Sequence, residues 1–465
     1  MSLTDREQGT ADDGPSTPPG RPTPPGRPTP PERPTPAGRR RPGPTVADVV
    51  RALTAGPLPL RIIGYDGSTV GPADAGITLT IRSERGLSYL LTAPGDLGLA
   101  RAYVSGDLAV SGVHPGDPYE ALRVLKDELT LRPPSLSEGL ALVRRLGWDR
   151  LRPPPPPPQE AMPRWRRVAD GLRHSRSRDS RAVAHHYDVS NAFYERVLGA
   201  SMTYTCAVFH SPEDTLEQAQ TAKYDLVAGK LALRPGMRLL DVGCGWGGMV
   251  RHAAREYGVQ ALGVTLSRAQ AEWARAAIER EGLTGLAEVR HLDYRDAPAG
   301  PFDAVSSIGL TEHIGVRNYP AYFGALRHRL RPGGRLLNHC ITRPDNRAPH
   351  RSGVFIDRYV FPDGELAGPG RLISEIHDAG LEVHHEENLR RHYALTLAAW
   401  CRNLVAHWND CVAEVGEGTG RVWGLYMAGS RLAFERNDIQ LHQVLATRNG
   451  PVGADHYPLR PDWTP

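Results

Sequence analysis

The chain has 465 residues, 40% of them hydrophobic, with a formal net charge of +4. That length admits two or three domains around a sizeable core, and so modest a charge gives no reason to expect a nucleic-acid partner. No stretch is apolar and long enough to span a bilayer, the opening MSLTDREQGTADDG lacks the apolar centre of a signal peptide, and five scattered cysteines form neither a disulfide framework nor a zinc spacing.

A reduced, cytoplasmic protein is therefore expected. Residues 1–44 carry GRPTPP, GRPTPP and ERPTPA in tandem from Gly20 to Ala37. Proline at that density builds neither ladders nor a core, which predicts a disordered, Pro-rich arm. Residues 45–150 read as a smaller α+β domain. ITLTIRS (77–83) alternates apolar and polar residues as a half-buried strand does, LRIIGYDGS ends in an Asp66-Gly67 turn, and PYEALRVLKDEL is amphipathic.

Residues 151–180 read as a linker. It holds six consecutive prolines, Pro153 to Pro158, and then a basic run, Arg164, Arg166, Arg167, Arg173, Arg176 and Arg178, that continues to Arg181 just beyond it. Such a basic run is either a solvated segment or a contact for an anionic membrane surface, and the sequence leaves both open.

From about 181 to 450 strands alternate with helices, which predicts a mostly parallel sheet covered on both faces. RLLDV runs into Gly243, Cys244, Gly245, Trp246, Gly247 and Gly248, and a helix follows. Glycines let a backbone approach a ligand closely, and a helix N-terminus favours an anionic group, so this is a nucleotide-cofactor turn. Its spacing formally satisfies the dinucleotide pattern, but that pattern wants an acid at the end of the next strand. VQALGVTLS ends in Thr265, Leu266 and Ser267, with no carboxylate. With Asp241 preceding the glycines, the turn instead resembles motif I of S-adenosylmethionine-dependent methyltransferases. Ser267 is a suitable N-cap for RAQAEWARAAIER, and AEVRHLDYRD, PFDAVSSIGL and GRLLNHCIT read as three further strands. Ligands of such sheets bind beyond the carboxyl ends of the strands, which selects 241–248, 265–267, 293–296, 311–313 and 339–342.

Taken singly, the polar residues there have ordinary readings. Glu312 suits a helix N-terminus, His339 a satisfied core histidine, and Tyr393 a core aromatic. The clusters His185-His186 and His384-His385-Glu386-Glu387 lack a convincing metal spacing, and no metal is expected.

Seven motifs in order change the weight. HHYDVSNAFYERVLGASMTYTCAVF (185–209), LLDVGCGWGG (239–248), GVTLSRAQ (263–270), SIGLTEHIG (307–315), LLNHCIT (336–342), FIDRYVFPDGEL (355–366) and HYALTLAAW (392–400) together resemble the cyclopropane-fatty-acyl-phospholipid synthase family, which includes the mycolic acid cyclopropane synthases. The resemblance covers roughly residues 180–440, and LGLARAYVSGDLAVSG is similar to the accessory, lipid-binding domain of the bacterial phospholipid enzymes.

The resemblance implies a Rossmann-like class I methyltransferase domain and two small-molecule partners. S-adenosyl-L-methionine would be held by Tyr204, Thr205, Asp241, Gly243, Cys244, Gly245, Trp246, Gly247, Thr265, Leu266, Gln270, Tyr294 and Arg295. A bicarbonate ion would act as base, held by the side chains of Glu312, His339 and Tyr393 and by the backbones at Cys206 and Ile341. A protonated His339 would offset the two like charges of Glu312 and bicarbonate.

The implied activity is cyclopropanation of unsaturated phospholipid acyl chains at the inner membrane surface by a peripheral protein. The same first step ending in a mid-chain methylene is the runner-up, with a partner reductase. A non-catalytic lipid-binding homologue and a methyltransferase for soluble molecules are weaker alternatives. A homodimer is compatible with the resemblance. Two departures from the family pattern stand out: Ser430 in place of a cysteine, and Asn338 in place of a leucine, which would add polarity to the alkene pocket.

Overall fold

A computed structural model describes residues 44–132, 135–146, 151–160, 190–346, 353–362, 364–454, 457–461 and 463. The repeated Pro-rich arm, the Arg164–Arg181 run and His185-His186 lie outside them.

The N-terminal part builds its own small core. Strands β1 (Thr54–Ala55) and β6 (Thr130–Leu131) pair with each other, while β2 (Arg61–Ile63), β3 (Thr69–Val70), β4 (Thr78–Ile81) and β5 (Leu108–Ser111) form a sheet in the order β3-β2-β4-β5. The alternation in ITLTIRS is realised: Leu79 and Ile81 are buried beside Ile62 and Leu108, with Leu87 and Tyr103 of two helices completing the core. Helix Val46–Leu53 starts on a capping box between Thr45 and Asp48.

The polyproline stretch is fastened. The Tyr89 hydroxyl donates to the Pro155 carbonyl at 2.5 Å. Beyond the prolines, Glu160 accepts a fork of hydrogen bonds from Arg101 at 2.6 and 2.7 Å and one from the Tyr359 hydroxyl at 3.3 Å. Arg358 stands 3.6 Å away, and the Glu160 side chain is only 1% exposed. One carboxylate thus ties residues from both sides of the linker. Glu160→Gln keeps one acceptor oxygen but turns the other into a donor facing Arg101 and removes the charge that pairs both arginines, and it should cost about 2 kcal/mol, since hydrogen bonds to charged groups lie in that range. Urea denaturation, with the midpoint falling at an unchanged slope, checks this.

The larger sheet is α/β. Its strands are β7 (Arg238–Val242), β8 (Gln260–Thr265), β9 (Ala287–His291), β10 (Phe302–Ile308), β11 (Leu330–Thr342), β12 (Glu382–Asn388) and β13 (Gln440–Thr447), in the order β12-β13-β11-β10-β7-β8-β9. All neighbours pair in parallel except those of β13, which runs against both β11 and β12. Successive strands step one way from β7 to β9 and the other way from β10 through β11 to β12, with β13 inserted between β11 and β12. The crevice at that switch, between the ends of β7 and β10, is where a ligand of such a sheet sits.

Helices cover both faces, with one buried cluster built on Tyr224, Val227, Val250 and Ala274 and another on Tyr319, Phe323 and Ile376. A third, strongly aromatic cluster lies around Tyr194, Trp246, Trp400, Trp423 and Tyr426. Among the described residues no helix is long and apolar enough to cross a membrane.

Candidate active site

The glycine turn is as tight as its composition demands. Gly243, Gly245 and Gly247 have φ of 73°, 55° and 74°, the left-handed region that side chains with a Cβ avoid. The amides of Gly243 and Cys244 both donate to the Val264 carbonyl at 2.9 and 3.0 Å, locking the turn to β8. A Cβ on Gly243 would stand 3.0 Å from the Leu310 side chain, so the turns after β7 and β10 abut at the switch. A Cβ on Gly245 would meet no atom within 4 Å, so its face of the turn is open.

Around the turn the expected neighbours assemble along the ends of β7, β8 and β9. Asp241 is buried and accepts from the Ser306 hydroxyl at 2.6 Å. Burial pushes its carboxyl up to about 7, against the pull of Ser306 and the Lys223 charge. At the end of β8 the Thr265 hydroxyl donates to Gln270 Oε1 at 2.8 Å, and Ser267 caps helix Arg268–Arg280 as its sequence suggests. The Leu266 carbonyl faces His291 Nε2 at 3.1 Å. Beyond β9, Arg295 forks onto Asp293 at 2.8 and 2.6 Å, and the Tyr294 ring meets Tyr322 edge-on at 5.0 Å. Trp246 Nε1 donates to Asn191 at 2.9 Å, fixing the turn to the segment before residue 200.

The second group gathers where β10 and β11 end. Helix Thr311–Ile314 begins three residues beyond β10, and Glu312 on it is 8% exposed. Its Oε1 accepts from the Ile341 amide at 3.1 Å, whereas Oε2 is buried with no partner among the described residues. Burial pushes the carboxyl up to about 7, against the Ile341 bond. His339, two residues before Ile341 on β11 and so on the same face, is fully buried. Its Nδ1 lies 3.1 Å from the Gln443 amide nitrogen on β13, and its Nε2 is also without a partner.

His339 is not the cation that the sequence reading wanted. Burial, and then the Lys223 and Lys230 charges, hold its pKa well below the ordinary histidine value. The like charge is reduced instead on the carboxyl, which burial leaves only partly ionised just below neutral pH.

The aromatic cluster closes the group. Cys206 and Tyr393 belong to it, with Tyr204 and Ile341 packed at its edge. Tyr393 lies 4.6 Å from Phe434, while Tyr204 lies 5.3 Å from Trp400 and its hydroxyl interacts with that of Tyr426, which feels the Glu312 charge. Thr205 would touch any Cβ placed on Gly309, which brings the 204–206 segment against the end of β10. The Cys206 thiol is driven well above its ordinary range by burial and stays protonated, so it is no nucleophile. The Ile341 amide is already committed to Glu312.

Several polar groups here escaped the sequence reading. Helix Leu216–Leu231 buries Lys223 and Lys230, seven residues apart on one face. Lys223 reaches Thr205 Oγ1 at 3.3 Å and lies 3.7 Å above the Tyr224 ring, and burial brings it down to about 7. Lys230 pairs with Glu387 and donates to Gln443 Oε1 at 2.7 Å. The only sequence signal was polar residues recurring on an otherwise apolar helical face. Asn338 points away from His339, accepting from Thr311 at 2.6 Å and meeting Cys340 at 3.4 Å. Its polarity therefore braces the Glu312 turn from the opposite side of the sheet. The 384–387 run splits by strand alternation: His384 meets Thr447, Glu386 meets His442, and Glu387 meets Lys230. Among the described residues no group of three metal-ligating side chains occurs.

A model of the mycolic acid cyclopropane synthetase family matches residues 174–444. A probable fatty acid methyltransferase of Mycobacterium tuberculosis is 62% identical over 422 residues, which are 90% of this chain and 99% of that protein. The tuberculostearic acid methyltransferase of the same organism is 32% identical over 420 residues, 87% of this chain and 92% of that one. Among solved structures, a mycolic acid cyclopropane synthase complexed with SAH and CTAB aligns with a TM-score of 0.54 and 32% identity, over 57% of this chain and 97% of that one.

Proposed function

We propose that this chain, which belongs to the mycolic acid cyclopropane synthetase family of S-adenosylmethionine-dependent methyltransferases, methylates the cis double bond of unsaturated acyl chains in membrane phospholipids. One observation carries the reading: Glu312 Oε2 and His339 Nε2, two buried polar atoms without partners among the described residues, lie at the strand ends beside a buried aromatic cluster. Buried polar groups are normally satisfied, and exceptions mark sites of chemistry.

The glycine turn suits the cofactor. Its open face at Gly245, the helix N-terminus behind it and the absence of an acid after β8 fit S-adenosylmethionine better than a dinucleotide. Tyr204, Thr205, Asp241, the 243–247 turn, Thr265, Leu266, Gln270, Tyr294 and Arg295 would hold it. When bound, it supplies an electrophilic methyl group on a sulfonium. Gly245→Val should weaken its binding at least about tenfold, because a β-branched side chain strains a left-handed backbone by about 1–2 kcal/mol and fills the open face. Isothermal titration with S-adenosylmethionine reads this directly.

A cis alkene is a weak nucleophile, so rate must come from alignment and from removal of water. As its π pair forms the new C–C bond, the C–S bond breaks and positive charge appears on the acyl chain. The rings around Tyr204 offer faces to that charge and exclude the water that would quench it. Loss of a proton from the newly attached carbon lets its C–H pair close a three-membered ring. The proton needs a base within reach. Glu312, ionised near neutral pH, and His339 would hold a bicarbonate ion there, since one carboxylate oxygen and one imidazole nitrogen suit a small anion that both gives and accepts hydrogen bonds. Bicarbonate, when bound, supplies a further basic oxygen. Tyr393 and the Cys206 backbone would border it.

A second reading keeps the first step and changes the exit. Two relatives that span this chain almost end to end are named a probable fatty acid methyltransferase and a tuberculostearic acid methyltransferase, names compatible with a product bearing a mid-chain methylene, formed when a hydride shift moves the cation to the methylated carbon and the new methyl group loses a proton. A partner reductase would then give the methyl branch. In either case the 45–150 region would present the protein peripherally to phospholipid, either as a monomer or as a homodimer.

Gas chromatography–mass spectrometry of fatty acids from cells expressing the chain tests both. A product one CH2 heavier than its monoenoic precursor that resists hydrogenation under mild conditions supports the ring. One that hydrogenates to a methyl-branched chain supports the methylene. Unchanged lipids, with folded and cofactor-binding protein, would count against both.

A further inference from the structure

His339 does not stand alone. A line of side chains runs from the edge of the sheet inward: the Glu387 carboxylate on β12 pairs with Lys230, the Lys230 ammonium donates to Gln443 Oε1 at 2.7 Å, and the Gln443 amide nitrogen lies 3.1 Å from His339 Nδ1. Glu387 is partly exposed, while Lys230, Gln443 and His339 are fully buried.

The hydrogens in this line follow from its chemistry. An ammonium has only donors, so the atom of Gln443 facing Lys230 must be its carbonyl oxygen. The amide nitrogen then faces His339, and an amide NH2 can only donate. Nδ1 must therefore be the accepting, unprotonated nitrogen. A neutral imidazole has one N–H, and it can only be on Nε2, the nitrogen without a partner. The low basicity of His339, set by burial and then by the Lys223 and Lys230 charges, keeps the ring to that single proton.

We propose that Gln443, itself oriented by Lys230, is a positioning residue that holds His339 in the Nε2–H tautomer and so presents a neutral N–H donor to the reaction site. This rests on the assignment of His339 to that site. A neutral donor beside Glu312 has a specific consequence. The pair offers one acceptor and one donor, the complement of an anion with one O–H and free oxygen lone pairs. An imidazolium there would instead form a salt bridge with Glu312 and silence both groups.

The test is a long-range proton–nitrogen NMR spectrum of the full chain labelled at histidine nitrogen, with the His339 signals assigned by their loss in His339→Gln. Methyl transfer from S-adenosylmethionine to unsaturated phospholipid vesicles is measured alongside. The wild type should show His339 protonated at Nε2 alone. In Gln443→Glu the carboxylate has no hydrogen to give and accepts one from Nδ1. His339 should then shift to the Nδ1–H or the doubly protonated form, and kcat should fall on the order of 100-fold, the loss expected for one misplaced donor. The KM for S-adenosylmethionine should hold, since Gln443 is remote from the glycine turn in sequence and strand order.

A wild-type His339 protonated at Nδ1, or a His339 that stays protonated at Nε2 alone in Gln443→Glu, would overturn the proposal. The wild-type spectrum decides even if the variant fails to fold. An Nε2–H wild type in which His339→Gln retains full activity would leave the tautomer assignment standing and remove His339 from the reaction.

Discussion

Glu312→Gln is expected to lower methyl transfer by a factor of about 10²–10⁴, the contribution of a positioned acid–base group, while the protein still folds and binds S-adenosylmethionine. The amide keeps the acceptor that holds the Ile341 amide at 3.1 Å, so the turn after β10 is preserved. What disappears is the second oxygen as a proton acceptor, the one atom of the residue that nothing else uses. The wild-type rate should also rise through a pH of about 7, where burial has placed the carboxyl, because only the ionised form accepts a proton. Loss of activity in the variant at every pH, with unchanged cofactor affinity by calorimetry, checks the first part. A stopped assay across pH 5.5–8.5 checks the second.

The second large effect is on stability, and its sign is opposite. Glu312 moves from an ordinary 4.5 to about 7 on folding, so the folded state binds the proton more tightly than the unfolded chain. The stabilisation this gives is complete below the unfolded value and is lost as pH rises through about 7. A shift of that size corresponds to about 3 kcal/mol at most. Asp241, also pushed up to about 7, acts in the same direction. Glu312→Gln removes the ionisation, so the variant should unfold at a temperature close to wild type at pH 5 and several degrees above it at pH 8. Scanning calorimetry at the two pH values measures the difference. An enzyme less stable than its inactive variant under working conditions is what a buried functional carboxylate predicts.

Much of this site was legible in the sequence because its residues sit where topology forces them. The 241–248, 265–270 and 294–295 segments follow β7, β8 and β9, so a correct reading of strand and helix periods places them together at one edge. Helix Arg268–Arg280 and its Ser267 cap fall where their residues put them. Charge state was not legible. A histidine near a glutamate reads as a cation, and here burial with Lys223 and Lys230 nearby makes it neutral.

The supporting side chains were hidden for a related reason. Gln443 lies in β13 and Lys230 in a helix more than 200 residues earlier, and only the antiparallel pairing of β11 with β13 puts His339 opposite Gln443. Tyr426 reaches Tyr204 from helix Glu417–Glu435, where its sequence reads as ordinary core. Spacing along a chain reports what a strand end carries, not what a distant strand brings to it. Asn338 makes the same point: one residue from His339, it faces the opposite side of the sheet and steadies Thr311.

The most direct measurement uses S-adenosylmethionine carrying a fully deuterated methyl group with purified enzyme and unsaturated phospholipid vesicles. If Glu312 and His339 organise proton removal from the transferred carbon, the fatty acid product retains two of the three deuterons, and the Glu312→Gln protein gives none of it. A product keeping all three, or equal labelling by Glu312→Gln, would contradict that assignment.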